Sequence, residues 1–309
     1  MARTLTQVAA IPFSANATRR DRLALDGFLT GLWFVIEGTM TITGGTAADA
    51  LGPAGLARLI KLIINGQHTP LAIEGRRLAY WGMVAMPKQN VHVLNPTTTG
   101  TWRVGLYFPV SLTPRDLTGA LYLPELASAV IEIDWGQESD VVTATSAVFS
   151  GQCLVFAEKY TTREAAIDTS VLHQLVEFSN PLTTAGMEHE FDLPTGPVYM
   201  RLINLVENNG AYAYGVVDQV RLHLGDSFHP YVLTEGEFRA IAEMHYDVAN
   251  LIPNGFLPLD LYFQGMSRDV INTGALRTFE IKPRVATGAA LTNAKFWTLA
   301  ESYIPLLAA

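Results

Sequence analysis

Alternation of apolar and polar residues with a period of two dominates this sequence and constrains its fold more than any other feature. Ile60–Ile64 reads Ile-Lys-Leu-Ile-Ile and ends at Asn65-Gly66, and Val220–Leu224 reads Val-Arg-Leu-His-Leu and ends at Gly225-Asp226. Each pattern predicts a half-buried strand followed by a pair of turn-forming residues. Because apolar residues at helical spacing are scarce, the chain is predicted to be built from short strands.

These two strands are the first of five similar pairs that occur in the same order along the chain. The other pairs are Leu71–Arg76 with Tyr231–Glu237, Trp102–Phe108 with Leu257–Phe263, Ile131–Ile133 with Phe279–Ile281, and Ala157–Tyr160 with Ala300–Tyr303. One pair alone carries no weight, since short alternating strands match by chance. Five ordered pairs predict an internal duplication, and the offset between partners, which falls from 160 to 143 residues, reflects differences in loop length.

The duplication predicts two domains. A polar stretch begins at Tyr160, and we place the first domain, with an N-terminal arm, at residues 1–165 and the second at residues 166–309. The first of these is neutral, whereas the second carries the whole net charge of −8. We expect an acidic second half to keep a free subunit soluble and to discourage contact with an anionic surface.

Two domains with about eight short strands each predict an all-β fold of two tandem eight-stranded jelly-roll β-sandwiches. In a jelly roll two packed sheets let each strand bury one face, as alternating sequences require. Short helices are predicted in the connecting loops. Thr234 and Glu237 fit a capping box that begins a helix over about Glu235 to Asp247, and Thr113-Pro114 predicts a turn of helix before Leu121.

The composition indicates a chain whose surface largely faces other protein chains. Hydrophobic residues make up 49 % of its 309 residues and charged residues 16 %, against about 25 % charged in average soluble proteins. The acidic balance argues against sequence-specific or general nucleic-acid binding, because affinity for phosphate comes mainly from clustered Lys and Arg. The N-terminus lacks a signal-peptide pattern, and the longest apolar run, Gly27–Gly38, is too short to span a bilayer and carries Glu37.

Residues with metal-binding or nucleophilic side chains form no convincing site. Cys153, the only cysteine, lies in the apolar run Gly151–Phe156 and is predicted to be buried. In Glu188-His189-Glu190, a strand would direct His189 away from both neighbours. His223 and His229 flank a predicted turn but lack a third ligand. The spacing that cupin-type jelly-roll enzymes use is absent around His68, His92 and His173.

One acidic loop leaves a catalytic hypothesis open. Asp134, Glu138 and Asp140 surround Trp135, and paired carboxylates of this kind line the cleft of glycosidases. More often such a loop is exposed and anchored by its aromatic residue. The sequence has neither a Gly-x-Ser-x-Gly elbow nor a phosphate-binding glycine loop. We therefore predict no catalytic residue, no metal and no cofactor, and a jelly-roll hydrolase that depends on Asp134 or Glu138 stays an alternative.

Three segments near the N-terminus have the succession found at the start of a jelly roll. Gly38–Gly45 is a threonine-rich strand, Leu56–Gly66 is an isoleucine-rich strand closed by Asn-Gly, and Ile73–Leu78 is a short segment with a glycine before its leucine. In this succession the chain resembles the double jelly-roll major capsid proteins of tailless icosahedral bacteriophages, the lineage that includes adenovirus hexon. The likeness covers the first 80 residues best and, through the duplication, the whole chain.

The resemblance implies a structural protein of the virion capsid, assembled in the host cytoplasm and without enzymatic activity. Three copies would form a homotrimer with a pseudo-hexagonal outline, and such trimers would tile an icosahedral shell together with penton or minor capsid proteins. Members of the family often enclose an internal lipid membrane, toward which their termini point.

The inward candidates here are the N-terminal arm, Met1–Ala17, and the basic cluster that follows it, Arg19, Arg20 and Arg22. Near an anionic membrane surface each basic residue contributes about 1 kcal/mol. A solvated turn before the first strand explains the same cluster, and the sequence does not decide between the two.

A second function stays open, that of a carbohydrate-binding double β-sandwich such as a phage spike or a lectin-like protein. The aromatic residues that could stack on a sugar are Tyr122, Tyr212, Tyr214, Tyr231 and Trp135. Packing in the core and in subunit interfaces explains the same residues, and we favour it because aromatic anchors are enriched in both.

Overall fold

The computed structural model describes residues 3–47, 51–86, 93–94, 99–112, 117–160, 169–225, 228–246, 254–262 and 270–305. The chain divides into two compact units, Met1–Leu175 with Pro305–Ala309 and Val176–Ile304. The predicted boundary between residues 165 and 166 lies outside the described residues and stays a prediction.

The described part of the first unit contains ten strands. They are β1 (Arg3–Pro12), β2 (Thr18–Arg22), β3 (Phe28–Ala47), β4 (Ala57–Ile64), β5 (His68–Ile73), β6 (Val93–Leu94), β7 (Gly100–Pro109), β8 (Leu121–Tyr122), β9 (Ala129–Trp135) and β10 (Val142–Tyr160). Helix α1 (Gly75–Ala85) follows β5, and short 3-10 helices occupy Gly52–Leu56, Leu123–Glu125 and Glu138–Asp140.

The described part of the second unit also contains ten strands, of which the first begins within the first unit. They are β11 (Val171–Pro181), β12 (Phe191–Asp192), β13 (Val198–Asn208), β14 (Ala211–Tyr212), β15 (Val217–Leu224), β16 (Phe228–Thr234), β17 (Phe256–Asp260), β18 (Ile271–Asn272), β19 (Phe279–Val285) and β20 (Lys295–Pro305). Helix α2 (Glu235–Tyr246) follows β16.

Both units follow the same path through two antiparallel sheets. In the first unit the strand orders are β1-β10-β3-β7 and β2-β9-β4-β5. In the second unit they are β11-β20-β13-β17 and β12-β19-β15-β16. When the eight principal strands of each unit are numbered along the chain, both units have the orders 1-8-3-6 and 2-7-4-5. This identity confirms the predicted pair of eight-stranded jelly rolls.

The predicted duplication joins equivalent strands in every one of its five pairs. They are β4 with β15, β5 with β16, β7 with β17, β9 with β19, and β10 with β20. The helix after β16 is confirmed as well, since Glu237 N–H donates to Thr234 Oγ1 (3.3 Å) and Thr234 N–H donates to Glu237 Oε2 (2.7 Å). The helical turn predicted at Thr113-Pro114 lies outside the described residues.

Helix α1 was not predicted, because its first residues were assigned to the strand over Leu71–Arg76. Nine of its eleven residues are buried, and a short segment that is buried on nearly all sides cannot be told from a buried strand by periodicity. The strand predicted over Leu71–Arg76 therefore ends at Ile73, and the helix begins at Gly75.

The inward faces of the two sheets form the core of the first unit. Leu32, Phe34 and Ile36 alternate along β3, and Ile131 and Ile133 alternate along β9, all with 0 % exposure. Cys153 is buried among them, as predicted, and burial raises the pKa of its thiol. The second unit has an equivalent core that includes Leu202, Val206, Leu222, Phe279, Ile281 and Phe296.

The first strand corrects one expectation. Residues 3–12 were predicted to be part of an N-terminal arm, but they form β1, which pairs with β10 from Arg3 opposite Tyr160 to Pro12 opposite Gln152. Ala9 and Ile11 alternate into the core with 5 % and 2 % exposure. The burial of these two side chains and the hydrogen bonds of the strand pair hold the segment in the sheet.

Two glycines at the centre of this sheet leave no room for a side chain. Gly38 on β3 lies opposite Gly151 on β10. A Cβ at Gly151 would lie 2.4 Å from the carbonyl oxygen of Glu37 and 2.5 Å from Cζ of Phe149. The ring of Phe149 therefore requires glycine at this crossing, whereas Gly105 on β7 has no atom within 4 Å of the equivalent position.

We expect Gly151→Ala to reduce the free energy of unfolding by about 1–3 kcal/mol, because the strand or the Phe149 ring must shift. Gly105→Ala, the matched control in the same sheet, should leave stability unchanged or raise it by about 0.4–1 kcal/mol through the unfolded state. Urea denaturation of both variants measures this, and equal effects would contradict the packing described.

Candidate functional site

The acidic loop of the catalytic hypothesis is fixed by structural contacts. Asp134 Oδ1 accepts a hydrogen bond from Thr18 Oγ1 (3.1 Å), and Glu138 Oε1 accepts one from the backbone N–H of Phe149 (3.1 Å). Asp140 Oδ2 accepts from the backbone N–H of Gln137 (3.0 Å) and from Arg58 Nε (3.1 Å). Asp134 thus links β9 to β2, Glu138 links the short helix Glu138–Asp140 to β10, and Asp140 caps that helix. Trp135 is fully buried.

Three of the residues singled out in the second half, Glu188, Glu190 and His223, belong to a network of ion pairs on the outward face of β12-β19-β15-β16. We call this network the ion-pair ladder. Its pairs are Asp218–Arg284 (2.7 Å), Glu188–Arg221 (3.3 Å), Glu280–His223 (2.7 Å), Glu280–Lys282 (2.9 Å) and Glu190–Lys282 (2.8 Å). His189 contacts the carbonyl oxygen of Thr184 instead (3.4 Å).

No metal centre emerges from these residues. Within the described ranges no group of three or more His, Cys, Asp and Glu side chains is placed to hold a metal ion. His173 is buried against Phe108 at a ring distance of 5.4 Å, and its Nδ1 lies 2.6 Å from the carbonyl oxygen of Pro109. The side chain of His229 lies outside the described residues.

Glu280 is the centre of the ladder. The hydrogen bond from His223 and then that from Lys282 lower the pKa of its carboxyl group, and its side chain is only 15 % exposed. The carboxylate therefore holds β15 to β19 in the ionised form, and protonation weakens that link.

The aromatic residues proposed for sugar stacking do not form one platform. Trp135 is buried and Tyr122 stacks on Phe28 at 4.6 Å, both in the first unit. In the second unit the guanidinium of Arg239 lies 4.8 Å above the ring of Tyr214. The remaining two candidates, Tyr212 and Tyr231, are half-buried.

The predicted basic cluster lies on one edge strand. Arg19, Arg20 and Arg22 all belong to β2, which pairs with β9 on one side, and every residue of β2 is exposed. Arg20 lies opposite Glu132, whose Oε1 already accepts from Lys61 Nζ (2.8 Å). All three arginines thus lie at one sheet edge, Arg20 and Arg22 on one face of the strand and Arg19 on the other. Neither described helix is long and apolar enough to cross a membrane.

The outward faces of the four sheets differ in chemistry, and two of them are charged. The face of β12-β19-β15-β16 carries the ion-pair ladder. The face of β2-β9-β4-β5 carries Arg20, Glu132 and Lys61. Both faces are suited to water or to a polar partner.

The outward face of β11-β20-β13-β17 is apolar at its centre and buried. Ile203, Leu205 and Leu299 have 0 % exposure. At one end Arg201 pairs with Glu301 (2.7 Å) and with Asp260 (3.0 Å), and all three side chains are less than a tenth exposed. This face resembles the inside of a protein although it is on the outside of its sandwich.

The outward face of β1-β10-β3-β7 is apolar at its centre but partly open. We call it the aromatic face, defined by Leu5, Ala10, Leu154, Phe156, Trp33 and Val35. Leu5 is 58 % exposed, Ala10 is exposed and the other four are half-buried. Phe156 lies opposite Trp33, and Leu154 opposite Val35.

Paired charges close both ends of the aromatic face. At one end Glu158, with 3 % exposure, accepts hydrogen bonds from Arg3 Nη2 (2.5 Å), Trp33 Nε1 (2.9 Å) and Tyr107 Oη (3.2 Å). Burial and the neighbouring Glu158 raise the pKa of Tyr107, so the phenol stays protonated and donates. At the other end Arg103 pairs with Glu37 (2.9 Å).

Comparisons with known proteins bear on the fold. No protein-family model matches the chain, and no curated protein matches it in sequence. Among solved structures, the major capsid protein of the Sulfolobus Turreted Icosahedral Virus superposes with a TM-score of 0.79 at 12 % identity, over 99 % of this chain and 98 % of that one. The fold is a double jelly roll.

Two further solved structures share this fold. The major capsid protein from bacteriophage PM2 has a TM-score of 0.66 at 11 % identity, over 99 % of this chain and 98 % of that chain. The PBCV-1 virus capsid protein has a TM-score of 0.69 at 13 % identity, over 98 % of this chain and 93 % of that one. In all three cases both jelly rolls are matched.

The aromatic face was not predicted as a site, although its signal is in the sequence. Gly27–Gly38 and Gly151–Phe156 were noted only as apolar runs, and they prove to be parts of β3 and β10, which pair. A strand without alternation is apolar on both faces, and two such strands side by side indicate a sheet whose outward face also needs a cover.

We expect Glu280→Gln to reduce the free energy of unfolding by about 1–3 kcal/mol at neutral pH, because charge-assisted hydrogen bonds in the ladder are lost. A carboxyl whose pKa is lowered by folding stabilises the protein above the ordinary glutamate value of 4.5 and loses this effect as the pH falls through the lowered pKa. The difference between variant and wild type should therefore vanish well below pH 4.5.

Glu243→Gln is the matched control for this measurement, since Glu243 pairs with Arg239 on the exposed side of α2. Its loss should cost no more than about 0.5 kcal/mol. Urea denaturation of both variants across this pH range tests the ladder, and a pH-independent difference for Glu280→Gln would contradict it.

Proposed function

We propose that this chain is the major capsid subunit of an icosahedral virus particle and that it has no catalytic role. The observation that carries the proposal is the likeness to viral coat proteins over 98–99 % of the chain, in both jelly rolls at once.

The duplicated fold supports assembly as a homotrimer. Because both units have the same strand order, three copies supply six sandwiches of one type, which can alternate around a threefold axis and give a nearly hexagonal outline. Such trimers tile a flat facet, and penton or minor capsid proteins close the vertices. The low charged fraction of 16 % fits a chain that buries permanent interfaces, which usually exceed about 2,000 Å².

The purified protein should therefore elute as a trimer of three times 33.7 kDa in size-exclusion chromatography with light scattering. Negative-stain microscopy should show particles with threefold symmetry. A strict monomer at all concentrations, above all one that binds a glycan array, would contradict the capsid proposal and favour the carbohydrate-binding alternative.

The arginines of β2 support a second part of the proposal, contact between the subunit and an anionic surface inside the particle. Arg19, Arg20 and Arg22 are all exposed on this edge strand, within the first 165 residues, which carry no net charge. At about 1 kcal/mol each, three such residues supply a weak attraction that many subunits on one vesicle would multiply.

We expect the trimer to co-sediment with vesicles that contain phosphatidylserine and not with vesicles of phosphatidylcholine alone. Replacing Arg19, Arg20 and Arg22 together by Gln should abolish binding, whereas a triple control at Arg239, Arg277 and Lys295, three exposed basic residues whose replacement by Gln gives the same change in charge, should retain it. Equal loss in both variants would show a general charge effect and contradict this role for β2.

A further inference from the structure

We propose that the aromatic face is the surface by which one copy of this chain binds a second copy. The inference rests on the proposed capsid function and deepens it, because it assigns the subunit contact to the outward side of β1-β10-β3-β7. The partner is a protein surface of this chain, low in charge and flat enough to lie on a sheet.

The first support is a comparison that the molecule contains within itself. Because Ala157–Tyr160 on β10 is equivalent to Ala300–Tyr303 on β20, Phe156 is equivalent to Leu299. The neighbouring strands β3 and β13 pair with these two strands, and their registers make Trp33 equivalent to Ile203 and Val35 equivalent to Leu205. In the second unit these three positions have 0 % exposure, while in the first unit their equivalents are only half-buried. The two equivalent apolar faces of one chain thus differ, since the face is buried in the second unit and partly open in the first.

The second support is the distribution of charge. The chain carries a net charge of −8, so two copies repel each other except where charge is absent or paired. The six residues of the aromatic face are uncharged, and the ion pairs at its ends, Arg3–Glu158 and Glu37–Arg103, neutralise each other. By contrast, the other partly open faces present the arginines of β2 or the ion-pair ladder.

The third support is the chemistry of an interface centre. Aromatic and aliphatic side chains surrounded by paired polar groups are typical of the buried middle of a protein contact, and patches of this kind on an isolated chain mark interaction sites. Trp33 is already held in place, since its Nε1 donates to Glu158 and its ring lies 4.4 Å from that of Tyr107. Little side-chain freedom is then lost when a second copy covers it.

Charged variants of the aromatic face test the proposal by their effect on oligomeric state. Leu5→Lys should raise the apparent dissociation constant of the trimer at least about 30-fold, as loss of a hot-spot contact does, and Leu154→Lys should act in the same direction. Met187→Lys is the matched control, because Met187 is 56 % exposed against 58 % for Leu5 and belongs to the second unit, outside the residues that define the face. Far-UV circular dichroism checks that each variant is folded.

A second measurement follows assembly of the wild-type chain and needs no charged variant. Of the five tryptophans, Trp81, Trp102 and Trp135 are fully buried in the free chain, so assembly leaves them unchanged. The fluorescence of Trp33 is the difference between the emission of the wild type and that of Trp33→Phe. Acrylamide should quench this difference severalfold less in the trimer than in the subunits that dilution produces.

The outcomes separate this inference from the capsid proposal. Trimers that resist Leu5→Lys and leave Trp33 equally accessible would overturn the assignment of the aromatic face while the capsid function stands. Equal weakening by Leu5→Lys and by the Met187→Lys control would also overturn it. A wild-type chain that never forms trimers would contradict the capsid function itself, and the inference with it.

Discussion

The long pairing of β3 with β10 is the interaction on which the rest of the structure depends. It runs from Phe28 opposite Tyr160 to Ala47 opposite Val142 and forms the middle of the first sheet. On the inward side these strands carry the core residues Phe34 and Cys153, and on the outward side Trp33 and Phe156. Because the paired segments Leu32–Ile36 and Cys153–Ala157 are apolar on both faces, this part of the sheet requires two covering surfaces, and its own sandwich supplies only one.

Several features of the fold followed from the sequence because they are local or periodic. The alternation in Ile60–Ile64 and Val220–Leu224 predicted strands that prove equivalent, β4 and β15. Thr234 and Glu237 predicted the start of α2 because a capping box uses only neighbouring residues. The five similar segment pairs predicted the duplication, because their common order along the chain can be recognised without knowing how any strand pairs within its sheet.

Other features could not be predicted because they depend on contacts between distant strands. Glu158 gathers donors from β1, β3 and β7, so neither its burial nor its role at the end of the aromatic face is visible in a local pattern. Helix α1 was missed because nine of its eleven residues are buried, Arg77 among them, and this burial depends on contacts with other elements. Residues 3–12 were taken as an arm because a strand of mixed small residues carries little alternation, and only its pairing with β10 shows that it belongs to the sheet.

The resemblance to capsid proteins rested on strand and turn patterns in the sequence. The structural similarity supports the same fold independently of those patterns. Two residues that were considered as catalytic or metal-binding candidates make structural contacts, Asp140 in a short helix and His223 in the ion-pair ladder. Equivalent outward faces of the two modules differ in exposure, since the face is buried in the second unit and partly open in the first.

Electron cryomicroscopy of the assembled protein tests the central claim most directly. The account predicts threefold particles in which each subunit contributes two sandwiches and the outward sides of β3 and β10 lie against the neighbouring copy, with Trp33 and Phe156 out of contact with solvent. Particles without threefold symmetry, or threefold particles in which that side of the sheet faces water, would contradict it.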